Sequence, residues 1–367
     1  MKLLKYFFFL PASLALLVTA CNTTATNSAE TSGNWVTRSD ASFSGRSESI
    51  SFIIGGLVYV GTGYDNYASD YPGINKKYYN YGRTNDLFVF DQSSNNGYGS
   101  WKQLSSMANA TDTAAVRSSA VAFATSTKGY VATGFDGQYR LQDNWEYDPI
   151  ANSWLRKKPL PDNNSTLLGS GARYDAIGFA IGDTGYVVAG KGNRDMNDLW
   201  QYIPATDSWF SKTSMGGSGR TAGTCFVYNH KAYVLTGTNN GSELHDFWYY
   251  DPNVDSWTKL RDIANTSTET YDDDYTDIIR DNAVSFVLGD YAYLSTGQNG
   301  SYTAKTWVYD IKNDLWTRKT PFERNLRGGA IGFTVGGRCF VALGSASGSY
   351  FNGVEEFKPS EAYNSND

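Results

Sequence analysis

Histidine is almost missing from this chain: 367 residues contain two, His230 and His245. Cysteine is nearly as rare, at three. No His/Cys spacing suits a zinc centre and no nucleophile stands beside a base, so the common metal-hydrolase and nucleophile–base arrangements are not indicated. Charged residues make up only 19% and acids outnumber bases, with a net charge of -6. Such a balance lacks the basic footprint that nucleic-acid recognition needs. The N-terminal apolar run, Tyr6 to Val18, falls well short of the ~20 residues that span a bilayer. What abounds is glycine and aromatic side chains, with 37 Gly, 27 Tyr and 10 Trp. That composition fits an all-β protein with aromatic surfaces.

The basic start (Lys2, Lys5), the short apolar run and the sequence Val18-Thr19-Ala20-Cys21 resemble the signal peptide and lipobox of bacterial lipoproteins. The resemblance implies a signal over residues 1–20 and lipidation of Cys21. It also implies a location in the cell envelope, on the bacterial outer membrane, with attachment through lipid only. Residues 21–33 are small and polar and suit a flexible tether. Losing residues 1–20 removes two lysines and no acid, which takes the charge from -6 to -8.

Residues 34–359 carry a ladder repeated six times: Arg, then Phe at +6, an aromatic at +13 and Gly at +17. Its rungs are Arg46/Phe52/Tyr59/Gly63, Arg117/Phe123/Tyr130/Gly134, Arg173/Phe179/Tyr186/Gly190, Arg220/Phe226/Tyr233/Gly237, Arg280/Phe286/Tyr293/Gly297 and Arg327/Phe333/Phe340/Gly344. Fixed spacing over a period of roughly 50 residues means stacked supersecondary units. Third strands such as NDLFVFD, DNWEYDP and DFWYYDP follow, and then a Trp-led fourth strand. Each repeat therefore reads as a four-stranded antiparallel meander.

D-x-W-x-Y-D-P followed by Trp resembles the Kelch repeat, with TG, AG or LG where many Kelch repeats have Gly-Gly. Five repeats have a Trp-led fourth strand and the sixth lacks one, while GNWVTRSD (33–40) is left over before the first. The N-terminal segment is expected to close the last blade, giving an all-β, six-bladed β-propeller of four-stranded antiparallel blades. Closure removes sheet edges that invite pairing. Residues 360–367 are expected to be a disordered tail.

Function is expected on the face bearing the fourth-to-first and second-to-third loops, because a rigid scaffold presents its function on loops. The ladder arginines Arg46, Arg117, Arg173, Arg220, Arg280 and Arg327 begin at that face. They suit either a forked grip on a ligand anion or bonds to backbone carbonyls that tie neighbouring blades. The loop 64–83 holds Tyr64, Tyr67, Tyr71, Tyr78, Tyr79 and Tyr81; Tyr174, Tyr271 and Tyr275 are placed near it. These rings suit a glycan or a protein ligand. Asp272-Asp273-Asp274 in the second insertion (262–279) reads as a solvated acidic loop or a weak cation site. The Asp before most third strands (Asp86, Asp143, Asp198, Asp246) is expected to cap loop backbone. Cys225 and Cys339 fall on strands of non-adjacent repeats, which disfavours a disulfide.

The leading expectation is a lipid-anchored monomeric binding module without a cofactor or metal. Kelch propellers also include sialic acid (N-acetylneuraminate) epimerases, and that distant likeness implies an acid/base carboxylate beside an arginine. Arg46 with Glu48, or Arg173 with Asp175, meets this by residue type. The propeller of galactose oxidase is a second distant likeness. His230 and His245 belong to opposite faces, however, so its copper site is not expected. A structural envelope role is the third reading.

Overall fold

A computed structural model describes residues 32–66, 82–107, 115–162 and 171–366. The expected signal peptide, Cys21, most of the expected tether and Tyr67, Tyr71, Tyr78, Tyr79 and Tyr81 lie outside them.

Among the described residues, six four-stranded antiparallel sheets form the blades of a β-propeller. The first blade runs Ile50–Ile54, Leu57–Gly61, Leu87–Asp91, Ser100–Leu104. The last joins Ile331–Val335, Arg338–Ala342 and Val354–Ala362 to the N-terminal strand Ser32–Thr37, in the order that closes the ring. That closing strand begins at Ser32, two residues before the expected boundary, and its partner runs to Ala362, into the expected tail. Trp35 locks the closure. Its ring is 4.7 Å from Phe357 and 4.9 Å from Phe322, and its Nε1 donates to Thr320 O at 3.2 Å.

The ladder is a list of blade contacts. Phe (+6) and the +13 aromatic pair directly across the first hairpin, as Phe52 with Tyr59 and Phe226 with Tyr233 do. Their rings stack, 5.2 Å and 4.8 Å apart, and the other four blades repeat the stack. Such pairs add about 0.5–1.5 kcal/mol each beyond the burial itself. Each Phe also reaches into the next blade. A Cβ on Gly129 or Gly185 would lie 2.1 Å from the ring of Phe52 or Phe123.

The +17 glycines join neighbouring blades. Gly63 N–H donates to Arg117 O, Gly134 to Arg173 O, Gly190 to Arg220 O, Gly237 to Arg280 O, Gly297 to Arg327 O, and Gly344 closes the circle on Arg46 O, all at 2.7–2.9 Å. Their φ values of 86° to 109° lie where only glycine is comfortable. The residue before each, at φ 55° to 63°, sits in the left-handed well that other residues reach at a cost. This explains why only the second glycine of the pair persists here.

Candidate functional site at the axial mouth

The six ladder guanidinia are buried inside their own blades. Arg117 forks onto Asp143 with bonds of 2.8 Å and 2.8 Å, and Arg173 onto Asp198 at 2.7 Å and 2.8 Å. Arg46 does the same with Asp86, while Arg220 binds Asp246 at 2.6 Å. Each also donates to the carbonyl sixteen residues on, as Arg117 does to Thr133 O at 3.0 Å. The aspartates expected to cap loops are therefore the carboxylates of these clamps. They also take the indole N–H two residues later (Trp145, Trp200, Trp248), which gives D-x-W its physical meaning. Neighbouring blades are tied through the arginine's carbonyl, not through its side chain.

Blade five lacks this aspartate, having Lys305 in its place. Asp277, from the 262–279 insertion, takes its role: Trp307 Nε1 donates to Asp277 Oδ1 at 2.9 Å, and Arg280 Nη2 donates to Asp277 O at 2.6 Å. The insertion is packed structure. Ile263, Tyr275 and Ile278 are buried, and Tyr275 Oη accepts the Trp316 N–H at 2.7 Å. The Asp272 carboxylate accepts the N–H groups of Thr266 and Ser267, both at 3.0 Å. Its carboxyl is lowered despite the opposing desolvation, because those two N–H groups and the Ser267 hydroxyl hold it. Tyr271 packs against Arg261. Tyr271 and Tyr275 thus belong to the wall of blades four and five and do not join Tyr64.

Around the axis, the residue two after each ladder arginine donates its N–H to the same position of the preceding blade. Glu48 meets Gly329 O at 2.8 Å, Ser119 meets Glu48 O at 3.0 Å and Asp175 meets Ser119 O at 3.1 Å. Ala222 then meets Asp175 O at 3.1 Å, Asn282 meets Ala222 O at 2.9 Å and Gly329 meets Asn282 O at 3.0 Å. The circuit of six bonds closes on itself. These residues and their successors line an axial cavity of about 130 Å³. Ser119 Oγ donates to Glu48 Oε2 at 3.0 Å, and Asn282 Nδ2 to Asp281 Oδ1 at 2.8 Å. Burial pushes the Asp175 carboxyl up to about 7, with Glu48 and Asp281 adding to it and Ser119 opposing. Glu243 is likewise raised to about 7, by burial and then by Asp281. Within each expected acid/base pair the partners separate: Arg46 and Arg173 face Asp86 and Asp198, while Glu48 and Asp175 line the mouth.

Above the cavity the blades extend into a crown, where the residue after each arginine bridges to the residue after each ladder glycine (Ser47–Tyr64, Ser118–Phe135, Tyr174–Lys191 and their equivalents). One sector of the crown is aromatic. Tyr350 meets Tyr64 edge-on at 5.5 Å, Arg83 lies 5.0 Å over Tyr64 and 4.8 Å over Phe135, and Phe135 meets Tyr174 at 5.4 Å. All five are partly exposed. Tyr64 and Tyr174 were expected at such a face. Phe135, Arg83, Tyr350, Ser119 and Asn282 were not; for Phe135, Ser119 and Asn282 the signal is that positions +18 and +2 vary while the ladder does not, and for Arg83 and Tyr350 the spacing gives none.

Beyond the cavity the axis widens to a channel of about 580 Å³. Cys225 faces it, its thiol pushed up to about 12 by burial. Cys339 is also free, and buried. His230 lies in a first-to-second turn, whereas His245 precedes the third strand beside Asp262, 3.1 Å away.

Blade architecture, Asp–Trp clamps and ring closure define a six-bladed β-propeller. The family model of the Kelch motif matches residues 219–262, which is blade four. Among solved structures the chain is similar to that titled "Structure of YjhT", with 13% identity and a TM-score of 0.65, covering 86% of this chain and 95% of that one. At this identity the likeness is one of fold. No curated protein matches the sequence.

Proposed function

We propose that this protein is an envelope-attached binding module that takes a glycan on its crown. The observation that carries the reading is the arc Tyr350–Tyr64–Arg83–Phe135–Tyr174, which frames a polar axial cavity on a scaffold closed by hydrogen bonds. Flat amphipathic rings beside fixed hydroxyl, amide and carboxylate groups are what a sugar ring needs: stacking on one face, directional bonds at its hydroxyls. Lipid attachment at Cys21 fits the same orientation. Ser32 pairs with Ala362 and Thr37 with Glu355, so the closing strand starts at the end opposite the crown. A tether leaving there turns the crown away from the membrane.

A glycan array followed by calorimetry tests the reading. Tyr64→Ala and Phe135→Ala are each expected to weaken the best ligand by at least about 1 kcal/mol, roughly fivefold. Val254→Ala, on an exposed turn, is expected to leave it unchanged. A folded protein that binds no glycan, or arc variants that bind as well as the parent, would overturn it.

A further inference from the structure

We propose that a shared proton joins blades four and five at the crown, and that this joint opens as pH rises through neutrality. The hairpin Thr238–Asn239/Ser242–Glu243 of blade four meets the start of blade five there. Other crown joints are made by groups that attract or pack. Arg83 Nε donates to Ser118 Oγ between blades one and two, and Arg140 Nη2 to Asn193 Oδ1 between two and three. Asn240 N–H donates to Asp195 Oδ2 at 2.6 Å between three and four. Tyr302 packs beside Gly328 between five and six, and Tyr350 meets Tyr64 between six and one. Between four and five, two carboxyl groups face each other within hydrogen-bond reach, Glu243 and Asp281.

Their surroundings offer no substitute donor. Glu243 Oε2 is buried and no hydrogen-bond donor reaches it. Arg280 acts on Glu243 through its charge, but its own N–H groups go to the carbonyls of Ile278, Thr296, Lys305 and Asp277. Asp281 Oδ1 already takes the Asn282 amide at 2.8 Å. His245, two residues along, turns to Asp262. Two acceptors placed in this way bond to each other only when one carries a proton. Burial, and then Asp281, hold the Glu243 carboxyl up to about 7, with Arg280 opposing. The folded value lies above the ordinary 4.5, so the joint is made at low pH and lost as pH rises through about 7. Two carboxylates then stand in contact, and Asp281 also acts on Asp175 across the mouth, as Glu48 does. The blade-four hairpin is held by Asn240 from the blade-three side and pushed from the other.

Hydrogen–deuterium exchange of the full chain at about pH 5.5 and about pH 8.5, corrected for intrinsic rates, tests the joint. Residues 238–246 should lose protection roughly tenfold or more at the higher pH, the ratio that one pKa unit of linkage supplies. The blade-five hairpin 298–302, which rests on Gly328, should not. Glu243→Gln keeps a donor for Asp281 at either pH and should abolish the step. Asp175→Asn, whose carboxyl titrates in the same range across the mouth, should leave it in place. Equal protection at both pH values in the parent, or an equal loss in both hairpins, would overturn the joint. So would a step that survives Glu243→Gln or vanishes in Asp175→Asn. The parent series stands without any variant, so a misfolded one does not spoil the test, and no ligand is added, so failure here leaves the glycan reading untouched.

Discussion

Replacing Asp198 with alanine strips a buried arginine of its carboxylate and leaves the charge in place. Arg173 has no exposed surface, and Asp198 takes three bonds: from Nη1 at 2.7 Å, Nη2 at 2.8 Å and the Trp200 indole at 2.8 Å. Removing one partner of a buried ion pair costs about 3–5 kcal/mol, because the other charge remains desolvated. Arg173 keeps Gly171 O and Ala189 O, at 3.1 Å and 2.9 Å, which places the expected loss near the lower end, about 3 kcal/mol. Urea unfolding followed by tryptophan fluorescence measures it, with unchanged m-values as the check that the transition is the same. A double-mutant cycle with Arg173→Met sharpens the claim. Once the guanidinium is gone, removing Asp198 should cost at least about 2 kcal/mol less than it does alone. Losses that simply add, or a single-variant loss below about 1 kcal/mol, would refute the view that these arginines are blade clamps.

Three further outcomes follow from the same geometry. Asp175 has its carboxyl raised from 3.8 to about 7, so the native state holds a proton that the unfolded chain releases. Its contribution to stability is therefore lost as pH rises from about 4 to about 7, and Asp175→Asn should flatten that part of a melting-temperature profile; an unchanged slope would count against the assignment. Deleting residues 1–37 removes the closing strand and exposes the edge of Val354–Ala362, so size-exclusion chromatography should show self-association. A monomer with the parent's unfolding midpoint would contradict this. Asp277→Ala should cost about 1–3 kcal/mol by orphaning the Trp307 indole, whereas Asp273→Ala and Asp274→Ala, both exposed, should stay within ~0.5 kcal/mol. Equal effects at all three positions would mean that the insertion does not complete blade five.

Much of the fold could be read from spacing alone because each ladder position has one physical task in every blade. A stacked cross-strand pair needs the +6 and +13 aromatics, and the inter-blade bond needs glycine at +17. The leftover Trp35 segment and the missing sixth fourth strand imply each other. Partnerships formed by folding were harder to see. D-x-W shows an Asp beside a Trp, but the arginine about 26 positions earlier that both serve appears only when the first and third strands are laid side by side. Asp277 replacing the aspartate missing at Lys305 crosses from a loop into a strand position, and no period records it.

Repetition and variation carry opposite information in a propeller, and the mouth shows why. A contact that builds every blade must recur in every blade, so six identical arginines point to architecture, and their buried guanidinia agree. A ligand on the axis meets six different blades at once and has no six-fold symmetry of its own. Residues that recognise it must therefore differ from blade to blade at equivalent positions. The +2 set of Glu, Ser, Asp, Ala, Asn and Gly meets that condition, with backbones held alike by the closed hydrogen-bond circuit and side chains free to diverge. So does the +18 set, where Tyr64 and Phe135 stand opposite Thr238, Gln298 and Ser345. The long insertions are less informative than these single positions: of the described loops, the 262–279 segment spends Asp272, Asp277 and its buried tyrosine on holding a blade together.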